Sequence, residues 1–266
     1  MNIRMKNKTF KKSAGFTIVE FMIAGTLGLF LIAGVIQLFL GSSQNYRVQD
    51  DLAVIQEDGR LSLMYLKEQI QRGSWTPNFL NIPPAINFTA GFSRDGPGKT
   101  PDRVSIQYNM NIDDGSNVDC NGHEVDSGQI INTFLINEKG ELACLGNGKD
   151  SKNSQPLIAN VEAFQVLYGV DTMSGDCPSG RVARYLNATD VIDEGLNNQV
   201  MSVRLGILLK SDDNVLPSDT TISIQVLDTV VDKTDRRFYR LFQQTIFMPN
   251  AVMATAGNPQ SSIDCL

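Results

Sequence analysis

Apolar residues follow one pattern near the start of the chain and others further along. From Phe16 to Leu40, 25 residues are almost continuously apolar, with Glu20 as the only charge and Gln37 as the only amide. As an α-helix this segment would be about 37 Å long, which is enough to cross a hydrocarbon core of about 30 Å with some tilt. The pattern therefore predicts a transmembrane helix over residues 16–40.

After this segment the pattern becomes that of an amphipathic helix over residues 41–72. Spacings of three and four predict one helix face, made of Val48, Leu52, Ile55, Gly59, Leu63, Leu66 and Ile70. Arg72-Gly73 and the nearby Pro77 mark the end of the helix. We expect the apolar face to pack against a globular domain.

The rest of the chain, residues 73–266, reads as a β-rich head. Prolines and glycines predict a loop over residues 73–103. Strands are then predicted by period-two alternation and by a four-residue turn at 137–140; they cover 104–108, 130–136, 141–145, 161–169, 200–210, 221–230 and 237–248. The predicted fold class is α+β, with the long N-terminal helix packed on an antiparallel sheet.

Charge separates the first residues from the remainder. Arg4, Lys6, Lys8, Lys11 and Lys12 give the first twelve residues five positive charges and no acid. The whole chain carries −6, and without residues 1–15 the balance is 18 − 29 = −11. A basic flank before an apolar segment predicts a cytoplasmic N-terminus and a head on the other side of the membrane. The acidic head argues against direct nucleic-acid binding.

Glu20 is unusual because a carboxylate within a membrane segment costs roughly 2.5 kcal/mol or more. A position near the lipid headgroups would lower this cost, but it would not account for the Gly15-Phe16 junction just before it. The run from the basic residues through Gly15 and Phe16 to Glu20, five positions after the glycine, resembles the class III leader of type IV pilins and type II secretion pseudopilins.

That resemblance implies the processing and the assembly residues. A prepilin peptidase would cut after Gly15, removing the leader 1–15, and would methylate the new terminus at Phe16. Glu20 would then pair with the Phe16 amine, most simply that of an adjacent subunit, because a buried charge is tolerated when it is paired. The implied fold is the type IV pilin fold.

Three later segments sharpen the resemblance. PLIANVEAFQVLYGVDTMSGD (156–176), VMSVRLGILLKS (200–211) and RFYRLFQQTIFMPN (237–250) are similar to the PilW family of minor pilins, as is the helix over 37–70. The family often has an arginine where this chain has Pro249. The resemblance implies a non-enzymatic minor pilin that primes or caps a type IV pilus from the bacterial inner membrane and later reaches the cell surface. The pilus would serve twitching motility, adhesion or DNA uptake.

The implied partners are other minor pilins, with the major pilin and a tip adhesin as further candidates, together with the prepilin peptidase and the assembly platform. Two alternatives stay open. A J-type pseudopilin of a type II secretion system shares the leader and helix, and a periplasmic binding module or enzyme on an uncleaved anchor would also carry an apolar helix.

The four cysteines all follow the apolar segment. An even number in an oxidising compartment predicts disulfides, and of the three possible pairings we favour Cys120–Cys144 and Cys177–Cys265. Zinc is the alternative, but no cysteines lie close in sequence and His123 is the only histidine.

No cofactor, metal or catalytic residue is predicted. Asp171 and Asp176 resemble a calcium loop faintly, yet they lack the EF-hand order of acids and fit turn chemistry equally well. His123 lies in a polar loop, and we expect it to be solvated. A single histidine with no recognisable nucleophile beside it argues against hydrolytic catalysis.

Overall fold

A computed structural model of the protein describes residues 15–77, 82–96, 101–110, 117–126, 128–171 and 179–251. A long helix comes first and is followed, in the described part, by strands and one short helix. In chain order these are α1 Ile18–Gln71, β1 Val104–Asn109, β2 Gln129–Ile136, β3 Leu142–Leu145, β4 Gln155–Ile158, β5 Val161–Val170, β6 Arg184–Leu186, α2 Ala188–Asp193, β7 Val200–Lys210, β8 Thr220–Val226, β9 Thr229–Asp235 and β10 Tyr239–Phe247. The predicted α+β class is confirmed.

The chain divides into two compact units, residues 1–47 and 48–266. In the described part of the first unit, α1 is exposed on nearly every side. Phe16 is 88% exposed and Phe30 is 79% exposed. Such a surface is apolar all round the helix, a pattern that suits a lipid or protein environment rather than water.

In the second unit, residues 48–266, α1 buries the predicted face. From here on, the head means this whole unit, including the second part of α1. Ile55, Gly59, Leu66 and Ile70 are buried, and the remaining predicted positions are half-buried. Gly59 allows a close approach, because a Cβ atom placed there would lie 2.4 Å from the Phe242 ring. The predicted face is therefore confirmed, and its glycine has a steric reason.

Polar residues complete this face and were not predicted. Ser62 Oγ donates to the Gly59 carbonyl at 2.9 Å, and Gln69 Oε1 accepts from Asn132 Nδ2 at 3.1 Å. At the end of α1, Asn250 Nδ2 donates to the carbonyls of Gln71 and Gly73 at 3.1 and 3.3 Å. Because the last carbonyls of a helix have no partner within it, Asn250 acts as a cap supplied from the far end of the chain.

The antiparallel strands expected from the sequence divide between more than one sheet. Two four-stranded antiparallel sheets form, with strand orders β1-β2-β3-β4 and β10-β7-β5-β6, and β8-β9 is a separate ribbon. Asp102 lies where they could have joined: its N–H donates to Phe164 O at 2.8 Å, and its Oδ2 accepts from Val166 N at 2.8 Å. The side chain thus occupies the edge of β5 that another strand would have used.

The predicted strand 221–230 is wrong, because it contains a turn. β8 ends at Val226 and β9 begins at Thr229, with Val226 paired to Thr229. Leu227 has a left-handed backbone, φ 55°, which costs energy for a leucine. A Cβ atom on Gly206 would lie 3.0 Å from Leu227 Cγ, so the glycine leaves room for the leucine side chain. The turn carries no Asn-Gly or Gly-Gly signal.

One apolar core joins α1 to both sheets. Leu66 of α1, Phe134 of β2, Phe164 of β5 and Leu205 of β7 are each fully buried within it. Tyr65 meets Phe134 edge to face with ring centroids 6.1 Å apart. The head is therefore held together around the second half of α1, although β4, β6 and α2 were not anticipated from sequence.

Candidate assembly site

The candidate assembly site begins at Gly15 and Phe16, which precede α1. Both residues are exposed, and a Cβ atom on Gly15 would meet nothing within 4 Å. The basic residues that precede them lie outside the described residues. The predicted cleavage point thus lies in an exposed segment just before the helix.

Thr17 and Glu20 form a reciprocal cap at the start of α1. Glu20 N donates to Thr17 Oγ1 at 3.2 Å, and Thr17 N donates to Glu20 Oε2 at 3.5 Å. Helix starts of the form Thr-x-x-Glu satisfy two orphan amides in this way. This role was not predicted, although Thr17-Ile-Val-Glu20 carries the sequence signal for it.

The cap gives the Glu20 carboxylate a partner inside its own chain. Cleavage after Gly15 would create an ammonium at Phe16 N, one residue before the Thr17 amide that Glu20 accepts from. A carboxylate at a helix N-terminus also interacts favourably with the helix dipole. Glu20 can therefore serve its own helix before any second chain is present.

Small residues interrupt the apolar surface of α1. A Cβ atom placed on Gly25, Gly28, Gly34 or Gly41 would meet no atom within 4 Å. At 100° per residue, Gly34 lies on the opposite side of the helix from Gly25. These glycines are not explained by packing within the described chain, and they do not form a single stripe.

The head carries a disulfide between Cys120 and Cys144, the first of the two favoured pairings. Their Cα atoms are 6.3 Å apart, and 24 positions separate them in sequence. A loop of this length corresponds to about 3.5 kcal/mol of stabilisation in the chain-entropy account. Cys177 and Cys265, the second favoured pair, lie outside the described residues.

A polar cluster next to this disulfide corrects the expectation for His123. The buried Asp119 carboxylate accepts from the amides of Asn121, His123 and Gly148 at 2.8, 3.0 and 2.7 Å, and also from the Ser151 hydroxyl. These hydrogen bonds hold the pKa of Asp119 below its ordinary value, against the opposing effect of burial. His123 is half-buried, with Nδ1 2.9 Å from Ser151 Oγ.

The order of these hydrogen bonds does not suit nucleophilic catalysis. The Ser151 hydroxyl donates to Asp119, so the His123 Nδ1–H must donate to Ser151. In a catalytic triad the histidine instead accepts the serine proton. The cluster fastens the loop around residues 119–123, which carries Cys120, to the loop around residues 148–151.

No group of three or more His, Cys, Asp or Glu residues that could hold a metal ion occurs among the described residues. Asp171 accepts from Ser179 Oγ at 2.6 Å and from Gly180 N at 2.8 Å, so its carboxylate is engaged in a turn. Asp176 lies outside the described residues, so the disfavoured calcium alternative at Asp171 and Asp176 is not tested.

These features define a class: an α+β protein with an exposed apolar N-terminal helix and a disulfide-bonded β head. Among the described helices, α1 is the one long and apolar enough to cross a membrane. This fits a membrane-anchored protein.

Residues 125–250 match the PilW family, described as Type IV Pilus-assembly protein W. The match covers just under half of the chain, from the end of the loop before β2 to the residue that caps α1. The resemblance found in the sequence is confirmed over this range. The match is thus to a family of pilus-assembly proteins.

Among solved structures, a type IV-like pilin from Thermus thermophilus is similar over 74% of this chain and 98% of that chain, with 14% identity and a TM-score of 0.45. No curated protein sequence matches this chain.

Proposed function

We propose that the chain is a minor pilin that primes or caps a type IV pilus from the inner membrane, in a complex with other minor pilins. The observation that carries this proposal is an exposed apolar helix, opened by Gly15, Phe16 and Glu20, in a chain whose residues 125–250 match the PilW family. The role is structural, and no catalytic step is assigned to the protein.

Processing comes first in the proposed mechanism. The peptidase removes residues 1–15 and methylates Phe16, leaving a cationic amine at the start of the helix. In the newly processed subunit, Glu20 retains its bonds with Thr17. When subunits assemble, the carboxylate turns to the amine of an adjacent subunit and fixes the register between helices.

Buried charge explains why this pairing matters. Removing one partner of a buried ion pair leaves an uncompensated charge and costs about 3–5 kcal/mol. The apolar surface of α1 supplies the remaining association energy, and the open glycines allow neighbouring helices to approach closely. The assembly platform then draws the ordered subunits out of the membrane, with the head on its periplasmic side.

Substitution of Glu20 by glutamine tests the proposal. Glu20→Gln retains an acceptor for the Thr17 amide but removes the charge, so we expect normal cleavage and insertion with a loss of co-purification with the other minor pilins. Glu57→Gln, at an exposed site on the same helix, is the matched control. Normal co-assembly of Glu20→Gln would contradict the pairing.

A second variant separates capping from pairing. Thr17→Ala removes the hydroxyl of the cap but leaves the Glu20 charge, and we expect it to assemble. If Thr17→Ala and Glu20→Gln lose assembly equally, the cap rather than the ion pair is the essential interaction.

The runner-up is a J-type pseudopilin, because type II secretion pseudopilins share the same leader. Deleting the gene and scoring surface pili against exoprotein secretion separates the two systems. Loss of pili with normal secretion is the expected result, and the PilW-family match supports it.

A further inference from the structure

The outer edges of the two four-stranded sheets are formed by β1, β4, β6 and β10. Three of these edges are covered or short. Residues 85–87 lie along β1, where Gln107 N donates to Ala85 O at 3.0 Å. β4 has four residues, includes Pro156 and shifts its register against β3, and β6 has three residues. Features of this kind prevent an edge strand from pairing with another chain.

β10 has none of these protections. It is nine residues long, contains no proline and pairs with β7 in unbroken register. Its one charged residue, Arg240, lies at its second position, and the seven residues LFQQTIF from Leu241 to Phe247 are uncharged. A long, uncharged edge strand is a site at which another β-strand can add.

Alternate residues of β10 direct their backbone groups away from β7. Ser211 N donates to Phe238 O at 2.8 Å, and Met248 N donates to Met201 O at 2.8 Å. Because hydrogen-bonded pairs alternate along an antiparallel ladder, the even-numbered residues of β10 bond to β7 and the odd-numbered ones face outwards. The outward-facing residues are Tyr239, Leu241, Gln243, Thr245 and Phe247. In the described part of the chain, their backbone groups have no hydrogen-bond partner on that side.

A pocket of about 370 Å³ lies beside the middle of this edge. Its lining comes from β7, β10 and the β8-β9 ribbon with its turn: Arg204, Gln225, Leu227, Gln243, Gln244 and Thr245. Three of these side chains are amides, which both donate and accept hydrogen bonds. The pocket can therefore receive a polar side chain from a strand that lies along β10.

Arg204 gives this pocket a positive charge without an acid to balance it. Its Nε donates to Thr245 Oγ1 at 3.2 Å, and its guanidinium carbon lies 3.9 Å from the centre of the Tyr185 ring. No aspartate or glutamate in the described ranges forms a salt bridge with it. The two contacts orient the guanidinium, and its remaining N–H donors suit a carboxylate.

We propose that the free edge of β10 binds an extended strand of a partner protein, which places an acidic side chain in the Arg204 pocket. In strand addition of this kind, backbone hydrogen bonds supply the affinity, and pockets for alternate side chains supply the specificity. Phe247, 46% exposed at the end of β10, offers the incoming strand an apolar contact. The proposal goes beyond pilus assembly, because it holds whether or not Glu20 pairs with Phe16.

A second copy of this chain fits less well as the occupant. β10 contains no aspartate or glutamate, so two β10 strands paired along their free edges would bring no acid to the Arg204 pocket. Such a pair would instead add a second set of unbalanced arginines. The charge of the pocket therefore favours a different, acidic strand.

Hydrogen exchange at single amides of the full-length protein in detergent, followed by NMR, tests the edge. In the protein alone, the amides of Leu241, Gln243 and Thr245 should exchange about tenfold faster or more than those of Phe242 and Gln244, which face β7. The probe is an acetylated nine-residue peptide of alternating threonine and valine with a central glutamate. At saturation it should slow exchange of the three outward amides by about tenfold or more.

Two control peptides separate backbone pairing from charge. A version N-methylated at every residue keeps the side chains but has no N–H donors, and it should give no protection. A version with glutamine in place of the glutamate should bind about fivefold more weakly. Arg204→Gln should remove this preference for glutamate.

A pair of variants places the binding at β10. Gln243→Pro removes an outward N–H without removing a hydrogen bond to β7, so it should weaken peptide binding by about tenfold or more. Gln243→Ala retains that N–H and should bind normally. The melting temperature of each variant reports its folding, and the comparison of peptides on the unmodified protein does not depend on it.

The proposal is overturned if the outward amides are already protected in the protein alone, since the chain itself would then cover the edge. It is also overturned if the N-methylated peptide protects them equally, if Gln243→Pro binds as well as Gln243→Ala, or if Arg204→Gln still prefers glutamate. None of these measurements depends on cleavage after Gly15, so their failure is distinct from failure of the proposed pilus role.

Discussion

The two parts of α1 show how one continuous helix can serve two different surroundings. In the described part of the first unit, the apolar side chains are exposed, whereas in the head Ile55, Leu66 and Ile70 are buried. The sequence patterns differ accordingly: residues 18–40 are apolar all round, and residues 48–70 are apolar on one face. Apolar residues on every side of a helix therefore indicate that lipid or another protein, rather than the rest of its own chain, surrounds it.

The largest expected difference between the two regions comes from truncating a phenylalanine in each. Phe134→Ala should lower the free energy of unfolding of the head by about 3–5 kcal/mol, because Phe134 is fully buried. Phe30→Ala, at a residue that is 79% exposed, should leave that free energy within about 0.5 kcal/mol. Urea unfolding followed by the fluorescence of Trp75 measures both, and equal destabilisation would contradict the division into two regions.

Between pH 3.8 and about 7, Asp102 should dominate the pH dependence of the head's stability. Burial raises its pKa from 3.8 to about 7, against hydrogen bonds from Gly96 and Val166. A raised pKa favours folding most below pH 3.8, and this stability is lost as the pH rises to about 7, on the order of 4 kcal/mol in total. Stability measured between these limits should therefore fall with rising pH.

Asp102→Asn is the control for this effect. Asparagine does not titrate, so the slope of stability against pH should become markedly shallower, even if the variant is less stable overall. Asp51 and Asp58 also have raised pKa values, and the difference between wild type and Asp102→Asn isolates the contribution of Asp102. An unchanged slope would show that Asp102 titrates at its ordinary pKa.

A pair of glycine substitutions sharpens the comparison within α1 itself. Gly59→Leu should destabilise the head by about 2–3 kcal/mol, because even a Cβ atom there overlaps the Phe242 ring. Gly34→Leu, where a Cβ atom meets nothing within 4 Å, should leave head stability unchanged and impair co-purification with other subunits. The opposite assignment of these two effects would contradict the account.

The smallest effect is expected at the helix cap. Asn250→Ala removes the bonds to the carbonyls of Gln71 and Gly73, and it should cost about 1 kcal/mol. Asn198→Ala, at an exposed turn, is the matched control. Hydrogen exchange at the last turn of α1 should also accelerate in Asn250→Ala alone; if it does not, the cap does not hold the helix end.

Local patterns were sufficient to predict the long helix, its buried face and the fold class. The spacing from Val48 to Ile70 reports burial directly, because helix geometry places those residues on one side. The Thr17–Glu20 cap was equally local and was overlooked. The roles that were not predicted belong to residues whose hydrogen-bond partners lie far away in sequence. Asp102 accepts from Val166 in β5, and Asn250 donates to Gln71 at the end of α1.

The arrangement of the sheets shows why such long-range contacts were not predicted. Asp102, just before β1, occupies the edge of β5 with its side chain, and no periodicity in the sequence predicts that contact. The Leu227 turn depends likewise on the space above Gly206 in another strand.

The mature N-terminus tests the central claim most directly. Intact-mass and terminal-peptide analysis of the protein purified from its native membrane should give a chain that begins at Phe16 and carries one added methyl group. A chain that retains its lysine-rich first residues, or that begins at another position without methylation, would contradict the proposal that this protein is a pilus subunit.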